Sequence, residues 1–409
     1  MKKIISILCV VVILVGLVAA FAGCEKREEV LKLYVPGQYI DEDIFEEFEA
    51  WYKEQTGLKV KVKVEEFEEV EDIQLAVEGS KADYDLICPS DYMVEYLIAN
   101  ELVQKVDKEI IDVTAEGLFK AEYLNTAKEY DPTLEYSVPY MYGTLGLVYD
   151  YSKTNAKITS WEALFGDTYS GTNTRSVKDS IRDAYAAACL YNARATLTGL
   201  TGDAQKTAVQ AVFEDLSDET IAAAKTTIQN VKSNGGIWDV DNVKFDMAQN
   251  NTAVKVALMW SCDAGYVMNE YEDDDGNVHA GNRNLWYVVP DEGGNIYMDN
   301  FCIGKYAVNT QAANYFLKFL CTKDIAVKNS EYAGAVSPVA EAYDELYDYY
   351  MNDEDEIFVD EAYSAEYMEE WKAMYIETMF PSAATLNRCG VMKDLGDRKN
   401  ALNNMWSKI

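Results

Sequence analysis

Apolar residues in the first hundred positions follow two different periods, which predicts alternating strands and helices. Residues 31–35 form a short apolar run typical of a strand, and residues 44–52 carry apolar side chains at the spacing of one helical face. Residues 58–64 alternate strictly between an apolar residue and lysine, the period of a strand with one solvent-exposed face. With a helix near 73–77 and a strand at 86–88, the order β-α-β-α-β-α predicts a mainly parallel sheet with helical crossovers.

The stretch 84–97 places polar side chains where a buried strand gives way to a helix. Pro89 ends the apolar run because it has no N–H for the sheet, and Ser90 or Asp91 can cap the following helix. Ser90 and Tyr92 therefore follow the carboxyl end of a strand, where open α/β sheets bind ligands. The alternative is an ordinary strand-to-helix turn with a capping serine.

Beyond residue 104 the pattern predicts a turn-rich segment and then a second set of elements. Proline and glycine at 136–143 predict a hinge ahead of a strand at 145–149, and 285–289 and 296–303 predict two strands joined by a hairpin-like turn. The other predicted elements are helices at 180–190, 218–231, 310–322 and 324–331, a strand at 254–260, and an acidic helical tail from residue 339.

Length and charge narrow the possible functions. A chain of 409 residues exceeds what one small core needs and favours two lobes. The net charge of −34 excludes nucleic acid as a partner, because phosphate binding requires a basic surface, and it disfavours contact with anionic lipids. The negative electrostatic field of such a chain would attract a cationic ligand.

The N-terminus carries the pattern of a bacterial secretory signal. Two lysines precede an apolar run that ends in Ala22-Gly23-Cys24, which resembles the lipobox at which bacteria attach lipid to cysteine. We therefore predict that residues 1–24 are a lipoprotein signal peptide and that Cys24 is lipidated, is the first mature residue and anchors the protein to the membrane. An uncleaved membrane anchor is the alternative.

Carboxylates and aromatic rings at the ends of predicted elements are the candidate functional groups. The eight cysteines show no zinc-type spacing, and the sequence has no nucleophile-elbow, zinc-protease, P-loop or dinucleotide-binding motif, so we predict no cofactor and no metal. A bound cation needs carboxylates to pair its charge and gains about 0.5–2 kcal/mol from an aromatic face. For each residue alone, core packing or a surface position is the simpler interpretation, and their shared position at strand ends is what makes the set a candidate site. The candidates are Asp183, Trp260, Asp263, Tyr297 and Asp299.

Five blocks of sequence carry a family resemblance that extends from about residue 31 to residue 409. The blocks are 84–92 (YDLICPSDY), 136–143 (YSVPYMYG), 179–183 (DSIRD), 259–264 (MWSCDA) and 290–300 (PDEGGNIYMDN). Together they resemble the extracytoplasmic polyamine-binding proteins of bacterial ABC transporters, the PotD type. The resemblance implies a two-lobed, type II periplasmic-binding-protein-like α/β fold with a ligand cleft between the lobes.

The resemblance also implies a set of ligand contacts. These are Ser90 and Tyr92 after the third strand, the amine-pairing carboxylates Asp183, Asp263 and Asp299, and the aromatic residues Tyr39, Trp260 and Tyr297. The chain departs from the family pattern at Pro36 and Ala335, where the family commonly has aromatic residues, and at Met392, where a polar ligand is sometimes found. These departures remove aromatic residues from the binding site that the resemblance implies, and they leave its acidic residues in place.

The family resemblance implies that the lobes are interleaved, with 28–143 joined by 299–343 and 144–298 joined by 344–409. We expect a monomer, not an enzyme, that carries spermidine or putrescine to a membrane permease and its ATPase at the outer face of the cytoplasmic membrane. Three alternatives remain open: a binding protein for another small solute, a secreted carboxylate-dependent hydrolase, and a surface sensor without a transport role.

Overall fold

The computed structural model describes residues 29–239, 242–269, 271–272, 276–352 and 357–409. The predicted signal peptide and its Cys24 therefore lie outside the described residues, as do residues 353–356 of the acidic tail. None of the described helices is both long enough and apolar enough to cross a bilayer.

Strands and helices alternate in the first part of the chain, as the two hydrophobic periods predict. The elements are β1 (Glu29–Pro36), α1 (Asp43–Thr56), β2 (Val60–Phe67), α2 (Glu71–Gln74) with a following π-helical turn (Leu75–Gly79), β3 (Leu86–Ile87), α3 (Asp91–Ala99), β4 (Val103–Gln104), α4 (Ala121–Ala127) and β5 (Ser137–Asp150). The apolar face predicted for α1 is buried, and Gly57 ends this helix in the left-handed conformation that glycine adopts without strain.

The middle of the chain is mostly helical. Its elements are α5 (Tyr151–Thr154), α6 (Glu162–Phe165), β6 (Arg175–Lys178), α7 (Ile181–Asn192), α8 (Arg194–Leu197), α9 (Gly202–Glu214), α10 (Asp218–Ser233), β7 (Ile237–Asp239), α11 (Asn242–Ala248), β8 (Val256–Trp260), α12 (Ser261–Met268), β9 (Tyr271–Glu272) and β10 (Val278–His279). The predicted helices at 180–190 and 218–231 and the strand at 254–260 correspond to α7, α10 and β8.

The last part of the chain returns to the sheet and then becomes helical. Its elements are β11 (Leu285–Val288), β12 (Gly294–Gly304), α13 (Thr310–Leu320), α14 (Lys323–Ala333), α15 (Ala340–Asn352), α16 (Ala365–Met379), α17 (Ala383–Leu386), β13 (Cys389–Gly390), a 3-10 turn (Gly396–Arg398) and α18 (Lys399–Trp406).

The strands form a mixed sheet in the order β2-β1-β3-β12-β5-β8-β6-β7, with β11 beside β5, and with β4 and β13 beside β12. The first three strands are parallel, as the β-α-β order predicts, and so are β8, β6 and β7. The two long strands β5 and β12 pair antiparallel with each other between these groups, so the sheet is less parallel than predicted. Every residue of β5 is buried, including the proline and glycine of the predicted hinge.

The hairpin predicted between residues 285–289 and 296–303 is wrong. Instead of pairing with each other, β11 and β12 both pair with β5. They lie one after the other along that strand. The turn between them lies outside the sheet. In this turn the carboxylate of Glu292 accepts hydrogen bonds from the hydroxyl of Ser160 and from the backbone N–H of Trp161. A hydrophobic pattern identifies two strands but does not determine which strand each one pairs with.

Strand β6 and helix α9 were not predicted from the sequence. Strand β6 begins at Arg175 and ends at Lys178, so it shows no apolar alternation, yet all four of its residues are buried. The guanidinium of Arg175 donates to the carbonyl oxygens of Leu164 and Gly166, at 2.9 and 2.6 Å, which compensates for part of its loss of hydration. Tertiary contacts therefore override the polar local pattern in this strand.

Candidate functional site

The carboxylate of Asp299 on β12 is the centre of the candidate site. Its Oδ1 accepts a hydrogen bond from the hydroxyl of Ser90 at 2.5 Å, and its Oδ2 accepts one from the hydroxyl of Tyr39 at 2.6 Å. Among the described residues, no lysine or arginine forms an ion pair with this carboxylate. A charged group held only by neutral donors in a partly buried position favours a cationic partner.

The backbone brings Ser90 to this position. Ser90 and Asp299 form an isolated antiparallel bridge beside a register shift between Asp299 and Asn300. Ser90 holds the N-cap position of α3 in an extended conformation, but its side chain makes no capping hydrogen bond to that helix. The capping role that the sequence allowed for Ser90 is therefore absent, because its hydroxyl is directed at Asp299.

The protonation states at this centre follow from burial. Burial raises the pKa of Asp299 above its ordinary value, and the hydrogen bonds from Ser90 and Tyr39 oppose that shift. Burial also raises the pKa of Tyr39 well above 10, and the negative charge of Asp299 adds to this effect. Tyr39 therefore remains a hydrogen-bond donor at neutral pH.

The ends of two opposed strands converge on Asp299. Strand β3 is antiparallel to β12, whereas β8 runs in the same direction as β12, so the carboxyl ends of β3 and β8 face each other. Ser90 follows β3, Trp260 ends β8, and Tyr297 and Asp299 lie on β12 between them. Ligands of α/β proteins bind where carboxyl ends of strands form such a crevice.

Tyr297 lies between the two strand ends. Its ring centre is 6.0 Å from that of Trp260, and its hydroxyl is 3.0 Å from Sγ of Cys262. Gly143 of β5 is directly opposite in the register, and a Cβ there would lie 2.3 Å from the Tyr297 hydroxyl, so only glycine leaves room for this ring. The predicted aromatic pair is therefore brought together, with its position fixed by a glycine in the neighbouring strand.

Tyr39 is supported from behind by Tyr140. The two rings meet edge to face at 5.7 Å, and the hydroxyl of Tyr140 donates to the carbonyl oxygen of Tyr39 at 2.8 Å. The aromatic residue after β1 thus has a fixed backbone as well as a fixed ring.

Asp263 is paired with two lysines of this chain. Its carboxylate lies 2.7 Å from Nζ of Lys244 and 3.8 Å from Nζ of Lys178. Burial opposes ionisation of Asp263, but the two lysines hold the pKa of its carboxyl below the ordinary value. Nζ of Lys178 also lies 3.8 Å from the centre of the Trp260 ring.

Asp183 lies in the first turn of α7, where the side chain of Ser180 caps its backbone N–H at 3.4 Å. The carboxylate is buried, and its Oδ2 has no hydrogen-bond partner within the described part of the chain. Burial raises the pKa of Asp183, and the charge of Lys178 opposes this shift. Asp183 thus has an acceptor oxygen available at the Trp260 end of the site.

Tyr92 is placed differently from the other candidates. The guanidinium of Arg182 stacks on its ring, 3.6 Å from the ring centre. Nε of Arg182 lies 3.3 Å from a carboxylate oxygen of Glu71, and its Nη1 donates to the carbonyl oxygen of Lys393. One face of the Tyr92 ring is therefore covered by the protein itself.

Two ionisable residues at the site were missed by sequence reasoning. Asp91 was considered only as a helix cap, yet it is 1% exposed and one of its carboxylate oxygens has no partner among the described residues. Burial raises the pKa of Asp91 to about 8. Lys178 was missed because it lies in the unpredicted strand β6. Its position next to the DSIRD block was the only signal available in the sequence.

Two of the three departures from the family pattern are buried. Ala335 and Met392 are 2% and 8% exposed, while Pro36 is half-buried at the end of β1. Among the described residues, no group of three or more histidine, cysteine or acidic side chains could hold a metal ion. The site presents carboxylates, hydroxyls and aromatic rings, and the ammonium groups of Lys178 and Lys244 lie against one of the carboxylates.

Comparison with known proteins relates the chain as a whole to a family of known proteins. A family model described as bacterial extracellular solute-binding protein matches residues 44–355. The chain is 25% identical over 395 residues to the spermidine/putrescine-binding periplasmic protein of Salmonella typhimurium, covering 96% of this chain and 94% of that protein. It is 26% identical over 326 residues to the putrescine-binding periplasmic protein SpuD of Pseudomonas aeruginosa, covering 76% and 78% of the two chains.

Solved structures agree with the predicted fold class. The substrate-binding protein PotD of Streptococcus pneumoniae superposes with a TM-score of 0.65 at 22% identity, covering 93% of this chain and 98% of that one. A PotD lipoprotein of Treponema pallidum superposes with a TM-score of 0.67 at 19% identity, covering 93% and 99%. These likenesses confirm the periplasmic-binding-protein-like α/β fold.

Proposed function

The chain belongs to the bacterial extracellular solute-binding proteins, and we propose that within this family it binds polyamines of the spermidine and putrescine class for an ABC transporter. The observation that carries the proposal is the carboxylate of Asp299, held by the hydroxyls of Ser90 and Tyr39 and without an ion pair to any described lysine or arginine. An ammonium group against this carboxylate completes its electrostatic environment.

The surroundings of Asp299 suit an alkyl ammonium ion. Tyr39 and Tyr297 present rings beside the carboxylate, and Trp260 adds a third ring toward the opposed strand end. The faces of these rings contact the methylene groups of a polyamine, and the two tyrosine rings beside Asp299 attract its ammonium group by about 0.5–2 kcal/mol each. The strongly acidic chain would raise the local concentration of such cations.

Names of relatives point to the same ligand class. The curated relative from Salmonella typhimurium is named for binding spermidine and putrescine, and the one from Pseudomonas aeruginosa is named for binding putrescine. The family and these relatives are solute-binding proteins, which disfavours the carboxylate-dependent hydrolase considered from the sequence. A different solute on the same fold remains the rival function, and the ligand panel described below tests it.

Transport requires a location and a partner. We propose that Cys24 is lipidated and holds the protein at the outer face of the cytoplasmic membrane, as the Ala22-Gly23-Cys24 pattern suggests. The two lobes, 28–143 with 299–343 and 144–298 with 344–409, would close on the ligand by a hinge motion. The closed monomer would dock on a permease, whose ATPase drives uptake. A surface sensor would lack this partner.

Calorimetry with a panel of ligands tests the proposal. Putrescine, spermidine and spermine are titrated into the purified protein, alongside a sugar and amino-acid panel. At least one polyamine is expected to bind with micromolar or tighter affinity, and the panel compounds are expected not to bind. Binding of a sugar or amino acid in the absence of polyamine binding would overturn the proposed ligand class and leave the family assignment intact.

A further inference from the structure

Lys178 occupies a position within the site that suits an ammonium group. It is the last residue of β6, and its side chain is 4% exposed. Its Nζ lies 3.8 Å from the centre of the Trp260 ring and 3.8 Å from Oδ2 of Asp263. An aromatic face with a nearby carboxylate is the arrangement that binds an ammonium ion. The protein therefore supplies its own ammonium at the Trp260 end of the site.

We propose that Lys178 acts as an internal ammonium group that limits how many charges the ligand carries. One ammonium of the ligand is held at Asp299, and an additional ammonium at the Trp260 end is disfavoured by the like charge of Lys178. This inference rests on the proposed polyamine-binding function and narrows it. The site would select the polyamine with fewer ammonium groups, so that a diamine is preferred to a triamine.

The acids at the two ends of the site differ in a way that supports this proposal. Asp263 already has two cationic partners, since Lys244 lies 2.7 Å from its Oδ1 in addition to Lys178 at Oδ2. Asp299 has hydroxyl partners only. Of the two carboxylates, Asp299 is thus the one whose charge is left for a ligand.

Burial makes the effect of Lys178 specific. A charge that is 4% exposed is poorly screened by solvent, so it acts strongly on groups within a few ångström and persists in salt. Lys178 also opposes the rise in the pKa of Asp183 caused by burial, which shows that its field reaches that carboxylate. A ligand ammonium against Trp260 would therefore be repelled by Lys178, and one against Asp183 would have to share the charge of that carboxylate with Lys178.

A purely structural role for Lys178 makes a different prediction. Its contact with Asp263 joins the end of β6 to α12, and loss of that contact alone would lower stability and leave the relative affinities for different amines unchanged. The ratio of affinities for two amines therefore distinguishes a role of Lys178 in ligand selection from a purely structural role.

The test combines one change in the protein with one change in the ligand. Calorimetry measures putrescine, spermidine and the two monoacetylated spermidines, which keep the length of spermidine and lose one ammonium, against the unaltered protein and Lys178→Met. The unaltered protein is expected to bind putrescine and at least one acetylated isomer about tenfold or more tightly than spermidine. In Lys178→Met these advantages should fall below about threefold.

Controls separate local charge from general charge and from misfolding. Lys244→Met removes the other lysine on Asp263, whose Nζ lies 5.3 Å from the ring of Phe245, and should change the same ratios less than threefold. If Lys178→Met unfolds at a lower temperature than the unaltered protein, the same measurements are made on Lys178→Gln. Unchanged ratios in the Lys178 variants, or equal shifts in Lys244→Met, would overturn the inference while putrescine binding upholds the proposed function. Absence of binding by every amine would overturn both.

Discussion

The hydroxyl of Ser90 lies 2.5 Å from Oδ1 of Asp299, although 209 positions separate the two residues in the chain. The contact joins the end of β3 to the middle of β12, so it forms only when the sheet is assembled. It also diverts Ser90 from capping α3, and in the first turn of that helix the N–H of Tyr92 donates instead to Oδ1 of Asp91 at 2.7 Å. A helix cap contributes about 1 kcal/mol, so the arrangement gives up some helix stability to position a donor at the carboxylate.

Removing the charge of Asp299 should weaken polyamine binding. Asp299→Asn keeps the shape of the side chain, and its amide oxygen can still accept from one of the two hydroxyls while its NH2 donates to the other, but it has no charge to pair with an ammonium group. A buried hydrogen bond to a charged group is worth about 1.5–3 kcal/mol, so the dissociation constant should rise about tenfold to a hundredfold in calorimetry. The loss should persist in high salt, because a partly buried pair is weakly screened.

The matched control for this change is Asp324→Asn. Asp324 is 83% exposed on α14, and a surface charge at that position contributes only to the general field. Its loss should change the affinity by less than twofold. Equal small losses in both variants, disappearing in salt, would mean that the acidic surface alone attracts polyamines.

The affinity should depend on pH through Asp299. Burial raises the pKa of this carboxyl, and the hydroxyl of Ser90 opposes that shift, so the affinity should fall as the pH is lowered through the raised value. Ser90→Ala removes one opposing hydrogen bond, and the midpoint of the fall should therefore move to higher pH. Calorimetry across a pH series gives both midpoints. A midpoint that is the same in both proteins would show that another group controls the dependence.

The parts of this molecule that sequence predicts best are those determined by local patterns. The buried face of α1 and the parallel β1, β2 and β3 follow from residue periodicity alone. Ser90 was also located correctly at the junction of β3 and α3, because a proline after an apolar run marks the end of a strand.

The rest depends on contacts between distant segments, which no local pattern encodes. The pairing of β11 with β5 instead of β12 is a choice among buried strands of similar composition. The burial of Lys178 depends on Trp260 and Asp263, about eighty positions away in sequence and contributed by a different element. Asp91 looks like an ordinary cap because its burial under β12 is visible only in three dimensions.

Burial of Asp91 should make folding stability depend on pH. Burial raises its pKa from 3.8 to about 8 in the folded protein, so the folded state binds this proton more tightly than the unfolded chain does. The contribution is full below the unfolded value and is lost as the pH rises toward about 8, at up to about 1.4 kcal/mol per pH unit. Asp91→Asn keeps a carbonyl oxygen for the N–H of Tyr92 and removes the titration.

Urea unfolding at pH 5 and pH 8 measures this effect. The free energy of unfolding should fall less between the two pH values in Asp91→Asn than in the unaltered protein, while Asp324→Asn should behave as the unaltered protein does. A parallel decline in all three proteins would show that Asp91 is already ionised when folded.

The N-terminal pattern predicts a lipid on Cys24. Mass spectrometry of the protein expressed in a bacterium with lipoprotein processing should find a diacylglyceryl-modified cysteine at the new N-terminus. Cys24→Ser removes the thiol that carries the lipid, so an acyl label should be lost and the uncleaved precursor should accumulate. An unmodified N-terminus in the unaltered protein would rule out the lipid anchor.

Gly143, opposite Tyr297 in the neighbouring strand, leaves room for the tyrosine ring. A Cβ on Gly143 would lie 2.3 Å from the Tyr297 hydroxyl and 2.5 Å from its Cζ, which is far inside van der Waals contact. In Gly143→Ala the ring must therefore move away from β5, and it would lose its geometry relative to Trp260 and Asp299. Overpacking of this kind costs about 1–3 kcal/mol of stability. Polyamine affinity should fall about tenfold or more.

Gly79→Ala is the matched control, because its Cβ would meet nothing within 4 Å, and it should change neither the affinity nor the stability. For both variants, calorimetry measures the affinity and thermal unfolding measures the stability. A Gly143→Ala protein with full affinity would mean that the ring of Tyr297 does not contact the ligand, because its displacement would then have no consequence for binding.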